Sequence, residues 1–126
     1  MPVYRYTKDH VWVLVEGTRA RIGISDFAQK ELGDIAYVAL PRPGQVLTRG
    51  EVACSVDSLK SSSEIYAPLS GTVVEAHAAL EKGEEARTIN SDPLGQGWLF
   101  CVEMSDPSEV ELLLSETQYA RYIEGN

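Results

Sequence analysis

The residues best able to do chemistry in this chain converge on one lysine. Lys60 lies in Asp57-Ser58-Leu59-Lys60-Ser61-Ser62-Ser63-Glu64, where serines supply most of its neighbours. A primary amine on a long flexible stem is open to acylation by another enzyme and can then carry whatever is attached. The same pattern also serves a plain solubilising edge charge. Asp57 and Glu64, which flank the lysine, are read as solvated charges or recognition marks and not as an acid-base pair. The remaining reactive types are scattered. Cys54 and Cys101 lie far apart in apolar runs, with His10 and His77 near neither, so they form no metal-ligand pattern. Both thiols are expected to be buried, reduced and hydrophobic in character, and a reducing cytosol weighs against a Cys54–Cys101 disulfide. The sequence contains no Gly-rich phosphate loop, no Gly-x-Ser-x-Gly elbow and no His-Glu-x-x-His. These absences point to a non-catalytic chain that other enzymes act upon.

The elements around Lys60 hold it outward. Glu51 to Asp57 reads as a strand in which Val52, Cys54 and Val56 alternate with smaller or polar residues, the period of a half-buried strand. Ser58 to Ser63 reads as a polar turn with Lys60 at its tip, and Glu64 to Ala67 as the returning strand. A Pro-x-x-Gly turn and a basic-Gly-Glu turn occur on both sides of the lysine. The first pair is Pro41 to Gly44 with Arg49-Gly50-Glu51; the second is Pro68 to Gly71 with Lys82-Gly83-Glu84. This echo suggests two similar β-halves about a pseudo-twofold axis.

Strands are also predicted over Tyr4 to Tyr6, His10 to Val15, Arg19 to Ile24, Asp34 to Leu40, Gly71 to His77 and Gly97 to Met104. On the fourth of these, Ile35, Tyr37 and Ala39 are expected on one face. On the fifth, Glu75 and His77 are expected to share the face of Val73. Ser25 as N-cap, Asp26 in the first turn and Gly33 as the stop delimit a helix over Asp26 to Leu32. Ala78 to Arg87 reads as a charged loop with at most a short helical turn. The tail, about 106–124, is expected to be helical, with capping patterns at Asp106-Pro107-Ser108-Glu109 and Ser115-Glu116-Thr117-Gln118.

The chain has 126 residues, 44% of them hydrophobic, long enough to form one domain over 1–126 with a single core and no disulfides. Its 19 acidic and 11 basic residues leave a net charge of −8. Nucleic acid and anionic membrane surfaces would be repelled, whereas basic docking surfaces on other enzymes would attract it. No apolar run approaches bilayer length and the Met1-Pro2-Val3-Tyr4 start has no signal pattern, so a cytoplasmic protein is expected.

The segment Asp57 to Gly71 resembles the lipoyl-attachment segment of the H-protein family of glycine cleavage systems. The resemblance extends, in the family's order, to Tyr6-Thr7-Lys8-Asp9-His10-Val11-Trp12, Gly23 to Gln29, Leu32-Gly33-Asp34-Ile35, Asn90-Ser91-Asp92-Pro93 and Gly97-Trp98-Leu99. It implies a mainly β, barrel-sandwich hybrid fold with short peripheral helices and a C-terminal helix. It further implies lipoate in amide linkage on Lys60, with Asp57, Ser58, Leu59 and Glu64 as hairpin recognition residues. The amide removes the lysine charge, so a neutral arm can enter a pocket without desolvating an ammonium ion. The implied partners are a pyridoxal-phosphate glycine decarboxylase, an aminomethyltransferase using tetrahydrofolate, dihydrolipoamide dehydrogenase, and a lipoate ligase or octanoyltransferase. Between the first two the arm would carry the aminomethyl group of glycine, and the chain itself would be a monomer.

The chain departs from the family pattern at several positions. His10-Val11-Trp12 stands where the family has His-Glu-Trp, which removes an acid associated with holding the loaded arm. Asp57 replaces a glutamate and Leu59 a valine, and Leu94 and Gln96 stand where tyrosine and glutamate are common. Val11, and the charged loop Ala78 to Arg87 where the sequence fits the family least well, keep open a second reading, an H-like protein that relays lipoate to other lipoyl domains. A third is an interaction module whose lysine stays free. Biotin carriage fits less well, since no methionine flanks Lys60.

Overall fold

The computed structural model describes residues 4–81 and 83–124. Among the described residues nine strands dominate: β1 Tyr4–Tyr6, β2 Val11–Glu16, β3 Arg19–Ile24, β4 Ile35–Ala39, β5 Val46–Leu47, β6 Val52–Ser58, β7 Ser62–Tyr66, β8 Gly71–Ala76 and β9 Phe100–Met104. Three α-helices punctuate them, α1 Asp26–Leu32, α2 Thr88–Ser91 and α3 Glu116–Glu124, along with 3₁₀ segments at Ala78–Glu81, Gly83–Arg87 and Pro107–Leu112. The strands form a six-stranded sheet, ordered β1-β2-β3-β9-β8-β5, and a three-stranded sheet, β4-β6-β7. All paired neighbours are antiparallel.

One apolar core draws on both sheets. Val13, Ile22, Phe100 and Val102 of the larger sheet join Val38 and Val56 of the smaller one, each fully buried. Each such side chain removed from water contributes roughly 1.5–3 kcal/mol, before the opposing loss of conformational entropy. A second cluster, formed by Tyr6, Trp12 and Tyr119, lies beneath α3. Trp12 is completely buried, and its indole N–H donates to the Pro93 carbonyl at 2.8 Å. A Cβ on Gly23 would meet the Trp12 ring at 2.6 Å, so this strand position admits only glycine without displacement of the ring.

Local signals held where local chemistry decides. Helix α1 has the predicted bounds, with Ser25 Oγ accepting from the Ala28 N–H and the Gly33 N–H donating to the Gln29 carbonyl. Ser115 caps α3, its Oγ accepting from the Gln118 N–H at 3.2 Å while Gln118 Oε1 accepts from the Ser115 N–H at 2.9 Å. Pro107–Leu112 is 3₁₀ instead of α, although Asp106 does cap it.

Three expectations about strand faces failed for a shared reason, irregular register. A shift between Val52 and Cys54 turns Val52 outward, 46% exposed, while Cys54 and Val56 stay inside. A shift between Ile35 and Tyr37 likewise leaves Ile35 buried, Tyr37 51% exposed and Val38 inside. A third, between Val73 and Glu75, separates those two residues, and β8 ends before His77. The last strand begins at Phe100, because Gly97 lies in a turn where a Cβ would come within 2.8 Å of the Asp92 carbonyl oxygen. The expected loop at 78–87 is largely 3₁₀, and α2 follows it. The two Pro-x-x-Gly segments are not equivalent. Gly44 turns with φ 93°, whereas Gly71 starts β8 against the Glu103 backbone. In the second basic-Gly-Glu segment Lys82 lies outside the described residues, and Gly83 and Glu84 fall in a 3₁₀ segment. Among the described residues no helix is long and apolar enough to cross a membrane.

Candidate functional site

The hairpin β6–β7 is tighter than its serines suggest. Asp57 pairs with Ser62 and Val56 with Ser63, so only Leu59, Lys60 and Ser61 lie between the strands. Ser58 closes that tip twice over. Its backbone N–H donates to the Ser61 carbonyl at 2.8 Å. Its hydroxyl accepts from the Lys60 and Ser61 N–H groups at 3.2 and 3.0 Å, and donates to the Ser61 carbonyl at 3.1 Å. A serine side chain thereby serves amide donors that the short turn would otherwise leave to solvent. From outside the hairpin, the Asp34 carbonyl accepts the Leu59 N–H at 3.0 Å.

Lys60 is exposed and, among the described residues, makes no ion pair. Its stem passes Gly33, where an added Cβ would stand 3.7 Å from Lys60 Cε. Glu64 is opposite Ser55, and Asp57 is opposite both Ser62 and Tyr37, which places Asp57, Glu64 and Tyr37 on the outer face of the three-stranded sheet. Leu59, 73% exposed, projects at the tip. The structure therefore gathers Asp57, Ser58, Leu59, Lys60 and Glu64 on one hairpin. Tyr37 was the neighbour that sequence reasoning missed, since strict alternation had assigned it to the face of Ile35.

Behind the hairpin, between β7 and α1, opens a cleft of about 320 Å³. Ile24, Phe27, Ala28, Leu32 and Ile65 give it an apolar lining, with Ser63, Asp9, His10 and Glu31 as its polar groups. His10 is held in the left-handed region at φ 69°, with its ring 4.7 Å from that of Phe27. Its Nδ1 shares a 2.7 Å hydrogen bond with the Tyr119 hydroxyl, which in turn lies 2.7 Å from Ser25 Oγ. Burial lowers the His10 pKa below its ordinary value, while Asp9 and Glu31 pull it the other way. His10 is thus neutral at pH 7, with two carboxylates close by. Val11, at the position that departs from the family pattern, is fully buried in the main core and supplies no group to the cleft.

The remaining candidates behave as inert groups. Cys54 is a free, buried thiol whose pKa is pushed up to about 12 by burial. Cys101 is also free but only half-buried, contrary to expectation. Burial raises its pKa too, with Arg21 acting in the opposite sense. Among the described residues no group of three His, Cys, Asp or Glu side chains is placed to hold a metal ion.

With this geometry in view, comparison with known proteins is informative. A family model described as "Glycine cleavage H-protein" matches residues 4–126. The glycine cleavage system H protein of Geobacillus kaustophilus is 49% identical over 119 residues, covering 94% of this chain and 92% of that protein. The one from Thermotoga maritima is 45% identical over 122 residues, 97% of each chain. The crystal structure of a glycine cleavage system H protein from Mycobacterium marinum superposes with a TM-score of 0.86 at 35% identity, covering 98% of this chain and 97% of that one.

Proposed function

The chain belongs to the glycine cleavage H-protein family, a family of lipoyl carriers, and on that premise we propose that Lys60 is the residue that bears the arm. The observation that carries this reading is the presentation of Lys60, an exposed amine at a three-residue tip with no ion pair among the described residues. Asp57, Ser58, Leu59 and Glu64 form the patch that a lipoate ligase or octanoyltransferase reads before joining the acid to Nζ as an amide. Once attached, the lipoyl group supplies a disulfide that can be reduced and can accept the aminomethyl group of glycine.

The chain's own part is to present, shelter and release. Amide formation removes the Lys60 charge, so the arm can lie against Ile24, Phe27, Leu32 and Ile65 without the desolvation cost of a cation. Val11 offers no carboxylate, and Asp9 and Glu31 take over the task of facing an ammonium group on the cargo. Neutral His10 adds no competing positive charge. In this reading residues 1–126 act as one monomeric, cytoplasmic carrier domain with no catalysis of its own. It visits the glycine decarboxylase, the aminomethyltransferase and dihydrolipoamide dehydrogenase in turn, tethering having raised the local concentration of the arm at each.

The test is restoration of glycine-dependent one-carbon release in cells lacking this protein. Wild type restores it and Lys60→Arg does not; restoration by the arginine form sinks the assignment. A valine at position 11, where the family has an acid, motivates a second reading, relay of lipoate to other lipoyl domains. That reading requires lipoylation of the 2-oxoacid dehydrogenases to fall on deletion, and unchanged lipoylation there eliminates it.

A further inference from the structure

One side chain ties together the platform beneath the lysine. Asn90, on α2, accepts through Oδ1 from the Ile35 N–H at 2.9 Å. Its Nδ2 donates to the Gly33 carbonyl and to Gln29 Oε1, both at 2.9 Å. One backbone partner can only donate and the other can only accept, so the amide has a single orientation. Those two partners bracket Asp34. The Asp34 carbonyl accepts the Leu59 N–H at 3.0 Å, and the bare Cα of Gly33 lies beside the Lys60 stem. Gln29, itself buried, carries the connection into α1, with its Nε2 donating to Asp26 Oδ1 at 2.8 Å.

We propose that Asn90 is a positioning residue for acyl transfer to Lys60. The proposal rests on the reading of Lys60 as the lipoyl-bearing lysine. Gly33 adopts φ 80°, ψ −156°, a conformation open to glycine alone and one in which the backbone has little intrinsic preference to stay. The Asn90 amide grips the chain on both sides of that weak point. Held there, the Asp34 carbonyl stays aimed at Leu59 and the tip keeps the single shape that a modifying enzyme grips. Released, only a fraction of the molecules present that shape, and apparent affinity falls by the same fraction. The amine itself is unchanged, so the loss belongs in KM and not in kcat.

Asn90→Asp keeps the side-chain shape and the Ile35 bond, but turns a carboxylate oxygen toward the Gly33 carbonyl. With the apo-protein, a lipoate ligase, lipoate and ATP, KM for the carrier should rise about tenfold with kcat unchanged. Hydrogen exchange at the Leu59 amide should accelerate in parallel. Gln29→Leu, which leaves both backbone bonds of Asn90 intact, should raise KM about two- to threefold. It decides the matter if Asn90→Asp does not fold. Val102→Ala, a core truncation on β9 away from the hairpin, should lower Tm without moving KM. An unchanged KM in the folded Asn90 or Gln29 variant overturns the proposal, as does an equal rise in Val102→Ala. Wild-type protein that takes no lipoyl group on Lys60 overturns the functional reading instead.

Discussion

At the hairpin tip Leu59 is 73% exposed, and the turn is shaped by N–H groups donating to the Ser58 hydroxyl and the Asp34 carbonyl. Under α3, by contrast, Tyr6, Trp12 and Tyr119 are each no more than 8% exposed. Here Tyr6 stacks on Tyr119 at 4.3 Å and the Tyr4 ring meets Trp12 edge-on at 5.4 Å. One region uses polar contacts to shape an exposed turn, and the other buries aromatic surface to hold the sandwich together. On the proposed reading, function and stability rest on different residues, although His10 joins the two regions by lining the cleft and touching Tyr119.

The separation is most sharply tested by Lys60→Arg. Attachment of lipoate, read by intact mass, should be lost completely while Tm stays at the wild-type value, since Lys60 is exposed with no ion pair among the described residues. A large fall in Tm would mean that the tip is structural after all. Trp12→Ala should do the reverse. Removing a fully buried indole should cost about 3–5 kcal/mol by denaturant titration, with the remaining folded protein still a substrate for acylation at low temperature.

Two smaller effects probe the junction. Tyr119→Phe deletes the hydroxyl shared by His10 and Ser25 and should cost about 1 kcal/mol. If it also slows glycine exchange in the holo-protein, the hydroxyl positions His10 for the cleft and the two regions are coupled. The smallest effect concerns pH. The His10 pKa is lowered on folding, so the unfolded chain binds more protons below the ordinary histidine pKa of about 6.5. The stabilisation is complete above that value and declines as pH falls from it toward the folded pKa. Asp26, also lowered, loses its contribution only in the lower carboxylate range. His10→Asn, suited to the positive φ, should flatten Tm between pH 7 and 5. An unaltered slope would place the titration elsewhere.

Much of this architecture was legible because the deciding contacts are close in sequence. Ser25, Asp26 and Gly33 delimit α1 through bonds made within a turn of the helix. The strand Arg19–Ile24 and the serine-rich tip around Lys60 were likewise legible locally. The apparent repeat around Lys60 was misleading, since a shared Pro-x-x-Gly spelling does not set φ, and Gly44 and Gly71 differ in the backbone they adopt.

By itself, then, the amino-acid order determined where most strands run, the bounds of α1 and the N-cap of α3, and the serine-rich turn that holds Lys60. Tertiary structure decided the faces. Three register shifts, set by how β6, β4 and β8 pair with their neighbours, put Val52 and Tyr37 in solvent and parted Glu75 from Val73. It also decided what supports the lysine. Asn90 reaches Gly33 and Ile35 only because α2 is packed beside α1, and no spacing along the chain announces a hydrogen bond across that distance. Local backbone preference acts over a few residues, whereas register and long-range hydrogen bonds follow from which packed arrangement buries the most apolar surface while satisfying its polar groups.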